Sequence, residues 1–263
     1  MPINVPGILV PLHLLINPRL IVPSLVVKGP SIKDIRQLDF PELYRAGYRG
    51  AVFDKDNCLT LPHQDRLVPE LTEAWKECRQ TFGEGNVLIV SNTAGSHLDA
   101  GDIQAESVTY HLSAPVLRHP SFKPSYACIA SIRAYFGSLP TPVRDDELVI
   151  VGDRILTDVV LANRMARRNK PQEIAPPNGE KMTDVRKAGP LTVLTEDVWR
   201  RESTVLRWME KGMLRGVERW VLPAHELSAR QELRRFVRDL PVSEVSEKRE
   251  GLWQKLWRTL RKP

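Results

Sequence analysis

Two aspartates separated by a single residue form the strongest chemical signal in the sequence. Asp54 and Asp56 directly follow the apolar run Gly50-Ala-Val-Phe53. Two carboxylates at the end of a buried strand supply the hard oxygen ligands that Mg²⁺ prefers. One can attack phosphorus, and the other can donate a proton to the departing oxygen and then activate water. The same pair also fits an ordinary turn in which aspartates bond the nearby backbone, so alone it is weak support for catalysis.

Two further polar elements follow along the chain. Ser91 and Asn92 come after the apolar run at residues 86–90, where a hydroxyl and nearby amides can hold phosphate oxygens. Lys123 precedes a helix-like stretch, and a cation there can neutralise both a phosphate and a carboxylate nucleophile. Each element has an ordinary alternative, a helix N-cap for Ser91-Asn92 and a solvated surface charge for Lys123.

A second pair of acidic residues follows the apolar run at residues 147–151. Asp153 could bind a metal ion, and Asp158 could bind it as well or orient the ligands that do. The alternative for Asp158 is an acidic side chain that stabilises the start of a helix.

The segments that must position these residues predict an α/β fold. Apolar runs at residues 50–53, 86–90, 147–151 and 191–194 alternate with helix-like stretches at 69–81, 125–136 and 157–168. Strands that alternate with helices favour a parallel sheet with helices on both faces. In such sheets ligands bind at the carboxyl ends of the strands. The polar residues that directly follow these strands lie at that edge.

Taken together, the four elements resemble the motifs of the haloacid dehalogenase (HAD) superfamily of phosphatases, over residues 50 to about 168. The resemblance implies an HAD-like, Rossmann-like sheet. It implies that Asp54 is the nucleophile, that Asp56 is the acid and base, and that Ser91 and Lys123 bind the phosphoryl group. It also implies a Mg²⁺ ion held by Asp54, Asp153 and the backbone carbonyl of Asp56.

One position departs from the superfamily pattern. The superfamily often has threonine four residues after the nucleophile, where this chain has Cys58. Thr60 lies two positions later and is not assumed to be its equivalent. The hydrogen bond usually attributed to that threonine is therefore in question here.

Several segments are similar to a narrower family. The segments 53–62, 90–93, 151–154 and 157–158, with the stretch at 33–39 and the proline-broken apolar N-terminus, look like the mitochondrial phosphatidylglycerophosphate phosphatases of fungi and their plant and bacterial relatives. The likeness covers most of residues 1 to about 196. It implies hydrolysis of phosphatidylglycerophosphate to phosphatidylglycerol, a step toward cardiolipin, by a peripheral protein at the matrix face of the mitochondrial inner membrane.

The chain divides into three segments by composition. Residues 1–40 form an apolar segment broken by prolines, which predicts a membrane-surface segment or a strap on the core. Residues 41–196 form the phosphatase core, and 197–263 form a basic, Trp-rich helical extension. The short stretches at 61–68 and between Asn92 and Lys123 leave no room for a large cap domain. An open site favours a substrate that stays attached to something large, since small metabolites need a lid.

The C-terminal extension carries most of the charge imbalance. The whole chain has a net charge of +6, whereas residues 200–263 contain 16 Lys and Arg against 9 Asp and Glu, or +7. Residues 251–262 would form a helix with Leu and Trp on one face and basic residues elsewhere, typical of a helix on an anionic membrane. Packing of this stripe against the core or another subunit is the alternative.

Partners and compartment follow from the same composition. The predicted partner is a phospholipid at an anionic membrane surface. Nucleic acid is disfavoured because the extension has no recognisable nucleic-acid module, and a homo-oligomer is compatible with the sequence. Three scattered cysteines without ligand spacing favour a reducing compartment and disfavour zinc. Of the six histidines, only His119 near Lys123 is a candidate for the site.

Two other functions remain open from the residues alone. A phosphatase acting on nucleic-acid ends or phosphoproteins would use the basic extension to follow a polyanion. A non-catalytic scaffold would keep the fold and bind partners, and the intact carboxylates at Asp54, Asp56, Asp153 and Asp158 argue against it.

Overall fold

A parallel five-stranded sheet forms the centre of the computed structural model. The strands are β1 (Leu25–Val26), β2 (Gly50–Phe53), β3 (Val87–Ile89), β4 (Leu148–Gly152) and β5 (Leu191–Leu194), in the spatial order β1-β5-β4-β2-β3. The structure describes residues 16–26, 34–168, 189–195, 199, 204–221 and 233–238. Strands β2 to β5 confirm the four predicted apolar strands. Strand β1, which pairs with β5, was not predicted. A strand of two residues is too short to show a recognisable hydrophobic pattern.

Six α-helices accompany the sheet in the described residues: α1 (Phe40–Arg45), α2 (Thr72–Phe82), α3 (Ile103–Leu112), α4 (Tyr126–Gly137), α5 (Val160–Arg168) and α6 (Thr204–Trp220). Helices α2, α4 and α5 match the three helix-like stretches, although their first turns differ. A 3₁₀ turn, Pro69–Leu71, precedes α2, and a π-helical turn, Ile155–Val159, precedes α5. Helices α1 and α3 were not predicted.

Helices cover both faces of the sheet, as the strand pattern predicted. Successive side chains of a strand point to opposite faces, so Ala51 and Phe53 face one side and Val52 faces the other. The Phe53 face packs against α1, α2 and α3 in one apolar cluster. The Val52 face packs against α4 and α5 in a second cluster. The fold is therefore a Rossmann-like α/β fold.

Helix α3 belongs to the core and is not a lid. Its residues Ala105, Val108 and Leu112 are buried in the cluster on the Phe53 face. The indole Nε1 of Trp75 donates a hydrogen bond to the carbonyl of Leu112 at 2.8 Å, which ties α3 to α2. The segment between Asn92 and Lys123 thus adds a core helix, and the described residues contain no large cap domain.

A third apolar cluster joins distant parts of the chain beside β5. Leu20 and Ile21 of the N-terminal segment pack there with Ile155 and Val159 of the π-helical turn and with Leu214 of α6. The amide of Asn163 donates to the carbonyls of Leu20 and Val22 at 2.8 and 2.9 Å. Residues 18–22 of the N-terminal segment are therefore packed on the core.

The segment Leu233–Phe236 packs against α1, and the residues that follow it contact the 3₁₀ turn Ile35–Gln37 before α1. Phe236 is buried, and its carbonyl accepts a hydrogen bond from Asp39. The guanidinium of Arg238 bonds Asp39 and Glu77 at 2.9 to 3.0 Å. The hydrogen bond from Arg238 lowers the pKa of Asp39 below its ordinary value, despite opposition from burial. This contact holds part of the C-terminal extension on the core.

Several sequence predictions lie outside the described residues. These are the apolar stretch up to residue 15 and most of the C-terminal extension at 197–263, including the amphipathic stretch at 251–262. Within the described part of the chain, no helix combines the length and the apolar character needed to cross a bilayer.

Replacement of Phe236 should destabilise the whole fold. Phe236→Ala removes a buried ring, and we expect it to lower the free energy of unfolding by about 3 kcal/mol, as measured by urea denaturation. Tyr110→Ala removes an aromatic side chain that is 81 % exposed and should change stability by less than about 0.5 kcal/mol. Equal effects of the two substitutions on the free energy of unfolding would show that burial of Phe236 does not stabilise the fold.

Candidate active site

An ammonium group held between two carboxylates forms the centre of the site. The Nζ atom of Lys123 lies 2.7 Å from Oδ1 of Asp54 and 2.7 Å from Oδ1 of Asp158. Asp54 follows β2 and Asp158 lies in the turn after β4, and these two strands are neighbours in the sheet. Lys123 is buried, which alone would lower its pKa, but the two carboxylates prevail and raise it. Lys123 is therefore a permanent cation in this site.

Three carboxylates converge beside this ammonium. One carboxylate oxygen from each of Asp54, Asp153 and Asp158 lies within 4.8 Å of the other two. The donor set is all oxygen and anionic, which suits Mg²⁺. When ionised, these three carboxylates and the ammonium of Lys123 sum to two negative charges, which a divalent cation would balance. The residues present therefore fit a magnesium ion.

Burial and the neighbouring carboxylates disfavour the ionised form of Asp54 when Lys123 is the only cation beside it. Burial raises the pKa of Asp54 to about 7, Lys123 opposes that shift, and Asp158, Asp153 and Asp56 add to it. A nucleophilic carboxylate has to be ionised, so further positive charge next to Asp54 would favour the reactive form.

The turn after β4 fixes Asp158 in place. Its Oδ2 accepts hydrogen bonds from the backbone N–H of Arg154 at 3.3 Å and from the hydroxyl of Thr157 at 3.1 Å. Gly152 makes this approach sterically feasible, because a Cβ atom there would lie 2.4 Å from the carboxyl carbon of Asp158. Position 152 therefore has to be glycine, because a larger residue would collide with the carboxylate of Asp158.

Asp56 is held by three donors on the opposite side of the motif. Its Oδ1 accepts from Nζ of Lys55 at 2.7 Å and from the N–H of His63 at 3.0 Å, and its Oδ2 accepts from the hydroxyl of Thr93 at 3.0 Å. Lys55 is fully buried and also donates to the carbonyl of Gln64 at 2.9 Å. The side chain of Asp56 is therefore separate from the three-carboxylate cluster, and only its backbone carbonyl is left to serve as the predicted metal ligand.

The loops that carry Ser91 and Lys123 are joined by their polar groups. Oδ1 of Asn92 accepts from the backbone N–H of Lys123 at 2.7 Å, and Nε2 of His119 lies 2.9 Å from the carbonyl of Ser91. The Oγ of Ser91 accepts from the N–H of Thr93 at 3.1 Å. The side chain of Asn92 thus positions Lys123, and its direct contact with phosphate stays a prediction.

Cys58 is buried in the apolar cluster on the Phe53 face. Burial raises the pKa of its thiol well above the ordinary value, with a further contribution from Asp54. The hydroxyl of Thr60 donates to the carbonyl of Lys55 at 3.3 Å, within the same motif. In this chain a hydroxyl two positions later therefore stabilises the loop, while Cys58 packs against the core.

The structure assembles most of the residues that the sequence singled out. Asp54, Lys123, Asp153 and Asp158 meet in one cluster, and Thr93 links Ser91 to Asp56. Their chemical roles stay predictions. Lys55 and Thr93 also belong to the site and were not predicted from the sequence. The alternation of acid, lysine and acid at residues 54–56 was the only signal for Lys55.

Comparison with known proteins gives consistent matches. A family model described as mitochondrial PGP phosphatase matches residues 5–168. A mitochondrial phosphatidylglycerophosphatase of Saccharomyces cerevisiae is 39% identical over 162 residues, which cover 62% of this chain and 83% of the yeast protein. A chloroplastic phosphatidylglycerophosphate phosphatase 1 of Chlamydomonas reinhardtii is 34% identical over 221 residues, 84% of this chain and 73% of the algal protein. No solved structure matches the chain significantly.

The fold and the clustered site, together with these relatives, define the class of the protein as a phosphatase. More narrowly, the chain belongs to the mitochondrial PGP phosphatase family, because the family model covers more than half of it. The resemblance noted from the motifs is therefore confirmed at the level of the family.

The three cysteines should be unreactive in the folded protein. All are buried, and burial raises the pKa of each thiol, that of Cys128 to about 12. At pH 8 we expect almost no reaction of the native protein with Ellman's reagent, and reaction of all three thiols after denaturation. Fast modification of Cys58 in the native state would show that the motif loop opens.

Proposed function

We propose that this protein hydrolyses phosphatidylglycerophosphate to phosphatidylglycerol and inorganic phosphate, with Mg²⁺ as the cofactor. The observation that carries the proposal is the buried Lys123 bridge between Asp54 and Asp158, next to Asp153. This arrangement suits a doubly charged phosphate monoester, and membership of the family supports the lipid substrate. The relatives in Saccharomyces cerevisiae and Chlamydomonas reinhardtii carry that substrate in their names.

The first half of the proposed reaction transfers the phosphoryl group to the protein. A carboxylate oxygen of Asp54 forms a bond to phosphorus while the bond from phosphorus to the glycerol oxygen breaks. Asp56 donates a proton to that oxygen, which leaves as the alcohol of phosphatidylglycerol. The donors from Lys55, His63 and Thr93 then stabilise the carboxylate of Asp56. Lys123 offsets negative charge around Asp54 throughout.

The second half releases phosphate and restores the protein. Asp56 takes a proton from water, the water oxygen bonds to phosphorus, and the bond from phosphorus to Asp54 breaks. Ser91 lies at the neighbouring strand end and is proposed to hold phosphoryl oxygens, as the motif resemblance implies. Asp54 and Asp153, with the carbonyl of Asp56, would hold Mg²⁺, and Asp158 would orient this set. When bound, the ion would supply positive charge to the phosphoryl oxygens.

The lack of a lid domain in the described part of the chain supports a large substrate. The described segments between Asp56 and α2, and between Asn92 and Lys123, add no separate lid domain. A lipid head group can enter an open site while its acyl chains stay in the bilayer. We propose that the protein works peripherally at an anionic membrane, at the matrix face of the mitochondrial inner membrane, as the motif resemblance implies. The name of the Saccharomyces cerevisiae relative supports the mitochondrial compartment.

Replacement of the nucleophile should remove activity and keep the fold. Asp54→Asn cannot form the covalent bond to phosphorus, and we expect kcat/KM to fall by at least about 10³-fold. Asp146→Asn, at a carboxylate paired with Arg144 on the surface, is the matched control and should retain activity. Circular dichroism should show intact folds for both variants. Normal activity of Asp54→Asn would exclude the mechanism.

A comparison of substrates tests the proposed specificity. The purified full chain would be assayed for phosphate release from phosphatidylglycerophosphate in mixed micelles, from a 5′-phosphorylated oligonucleotide and from a phosphopeptide. We expect the lipid to be preferred by about 100-fold or more in kcat/KM, or about 3 kcal/mol, and EDTA to abolish activity until Mg²⁺ is restored. Comparable rates on the three substrates, or full activity in EDTA, would contradict the proposal.

A further inference from the structure

Helix α6 presents an unusual combination of side chains to solvent. Trp208, Met209 and Trp220 are 71 %, 51 % and 83 % exposed. Large apolar side chains grouped on one exposed surface are uncommon on a soluble monomer and often mark an interaction site. Met209 and Trp220 are eleven residues apart, about three helical turns, so they lie on the same side of the helix. Trp208 lies about 100° around the helix from Met209, on the side that carries Lys211 and Arg215.

The opposite side of α6 is committed to the core. Glu210 and Leu214 are buried, and Met213 and Val217 pack against the third apolar cluster. This three- and four-residue spacing defines one buried face. Incomplete packing therefore does not explain the exposure of the two tryptophans, since α6 already buries another face against the core.

A stripe of positive charge runs beside the exposed tryptophans. Lys211, Arg215 and Arg219 are all exposed and follow one another at intervals of four residues, so they form a row along the helix. Glu210 is buried, and the partly buried Glu218 lies at the edge of the row, so the three basic residues together with Glu218 carry a net charge of +2. A basic row with bordering Trp and Met is typical of a helix that lies in the interface of an anionic bilayer.

The location of α6 connects this face to the catalytic edge of the sheet. The cluster that holds Leu214 also contains Ile155 and Val159, in the turn between Asp153 and α5, and Leu194 at the carboxyl end of β5. Helix α6 contacts the 3₁₀ turn Pro18–Ile21, and that turn contacts the π-helical turn that carries Asp158. A membrane bound by α6 would lie beside the end of the sheet where the phosphate has to enter.

We propose that the exposed face of α6, formed by Trp208, Met209, Lys211, Arg215, Arg219 and Trp220, docks the protein on the surface of an anionic phospholipid bilayer. The role of this docking in lipid hydrolysis rests on the proposed phosphatase function, whereas binding of α6 to the bilayer does not. The tryptophans and Met209 enter the interface between head groups and acyl chains, and the basic row pairs with lipid phosphates. A second copy of the chain or a protein partner on this face is excluded by the proposal.

Binding of the full chain to vesicles tests the proposal directly. The probes are vesicles of phosphatidylcholine alone and of phosphatidylcholine mixed with phosphatidylglycerol, assayed by co-sedimentation. The double variants are Trp208→Ser with Trp220→Ser, and Arg215→Glu with Arg219→Glu. We expect each double variant to bind the mixed vesicles at least about tenfold more weakly than the wild type, since every lost interfacial charge alone weakens binding by about fivefold.

Matched controls change the same chemistry elsewhere on the surface. Tyr110→Ser removes an exposed aromatic side chain, and Arg45→Glu with Lys76→Glu makes the same change in net charge away from α6. The controls should bind vesicles within about twofold of the wild type. Thermal unfolding by circular dichroism shows whether each variant is folded, and a variant that unfolds is replaced by Trp208→Gln with Trp220→Gln or by Arg215→Gln with Arg219→Gln.

Activity on two kinds of substrate separates docking from catalysis. The α6 variants should keep the wild-type rate on p-nitrophenyl phosphate, which is soluble, and lose rate on phosphatidylglycerophosphate in vesicles. Absence of any lipid hydrolysis with intact α6-dependent vesicle binding would refute the proposed function and leave the docking surface standing. Unchanged vesicle binding by both α6 double variants, equal loss in the controls, or a dimer that the tryptophan substitutions dissociate would overturn the docking proposal.

Discussion

The ion pair of Lys123 with Asp54 and Asp158 is the constraint on which the rest of the site depends. Three carboxylates approach within 4.8 Å of one another in a mostly buried place, and like charges at that distance repel strongly. The ammonium of Lys123 relieves part of this repulsion and leaves a net negative site. A site built in this way favours a divalent cation and, with it, a phosphate. The proposed chemistry follows from that imbalance of charge.

The parallel sheet is what brings these charges together. Strands β2 and β4 are neighbours, so the residues that follow them meet at one edge although about a hundred positions separate them in the chain. Polar contacts then fix the loops: Asn92 holds the backbone of Lys123, His119 contacts Ser91, and Thr157 holds Asp158. Rigid loops on a rigid sheet keep the carboxylates in place before any substrate arrives, which is how electrostatic catalysis avoids reorganisation.

The strands and their polar ends were predictable from sequence because buried parallel strands are short, continuous apolar runs followed by polar residues. Asp54, Ser91 and Asp153 could be placed at one edge for that reason. Lys55 could not, since a lysine is normally solvated and only the folded loop shows its pairing with Asp56. Helix α3 escaped prediction because Ala105, Val108 and Leu112 give it a weakly amphipathic pattern. The first turns before α2 and α5 are a 3₁₀ and a π turn, and the spacing of apolar residues does not distinguish such turns from an α-helix.

The central claim of the proposed mechanism is that Asp54 itself carries the phosphoryl group during turnover. The most direct measurement is an acid quench of the protein during hydrolysis of ³²P-labelled phosphatidylglycerophosphate, followed by peptide mapping. The mechanism predicts a ³²P label that is stable in acid and is released by hydroxylamine, as acyl phosphates are. The label should map to the peptide that contains Asp54. Turnover at full rate with no labelled protein at any quench time, or a label on another residue, would contradict it.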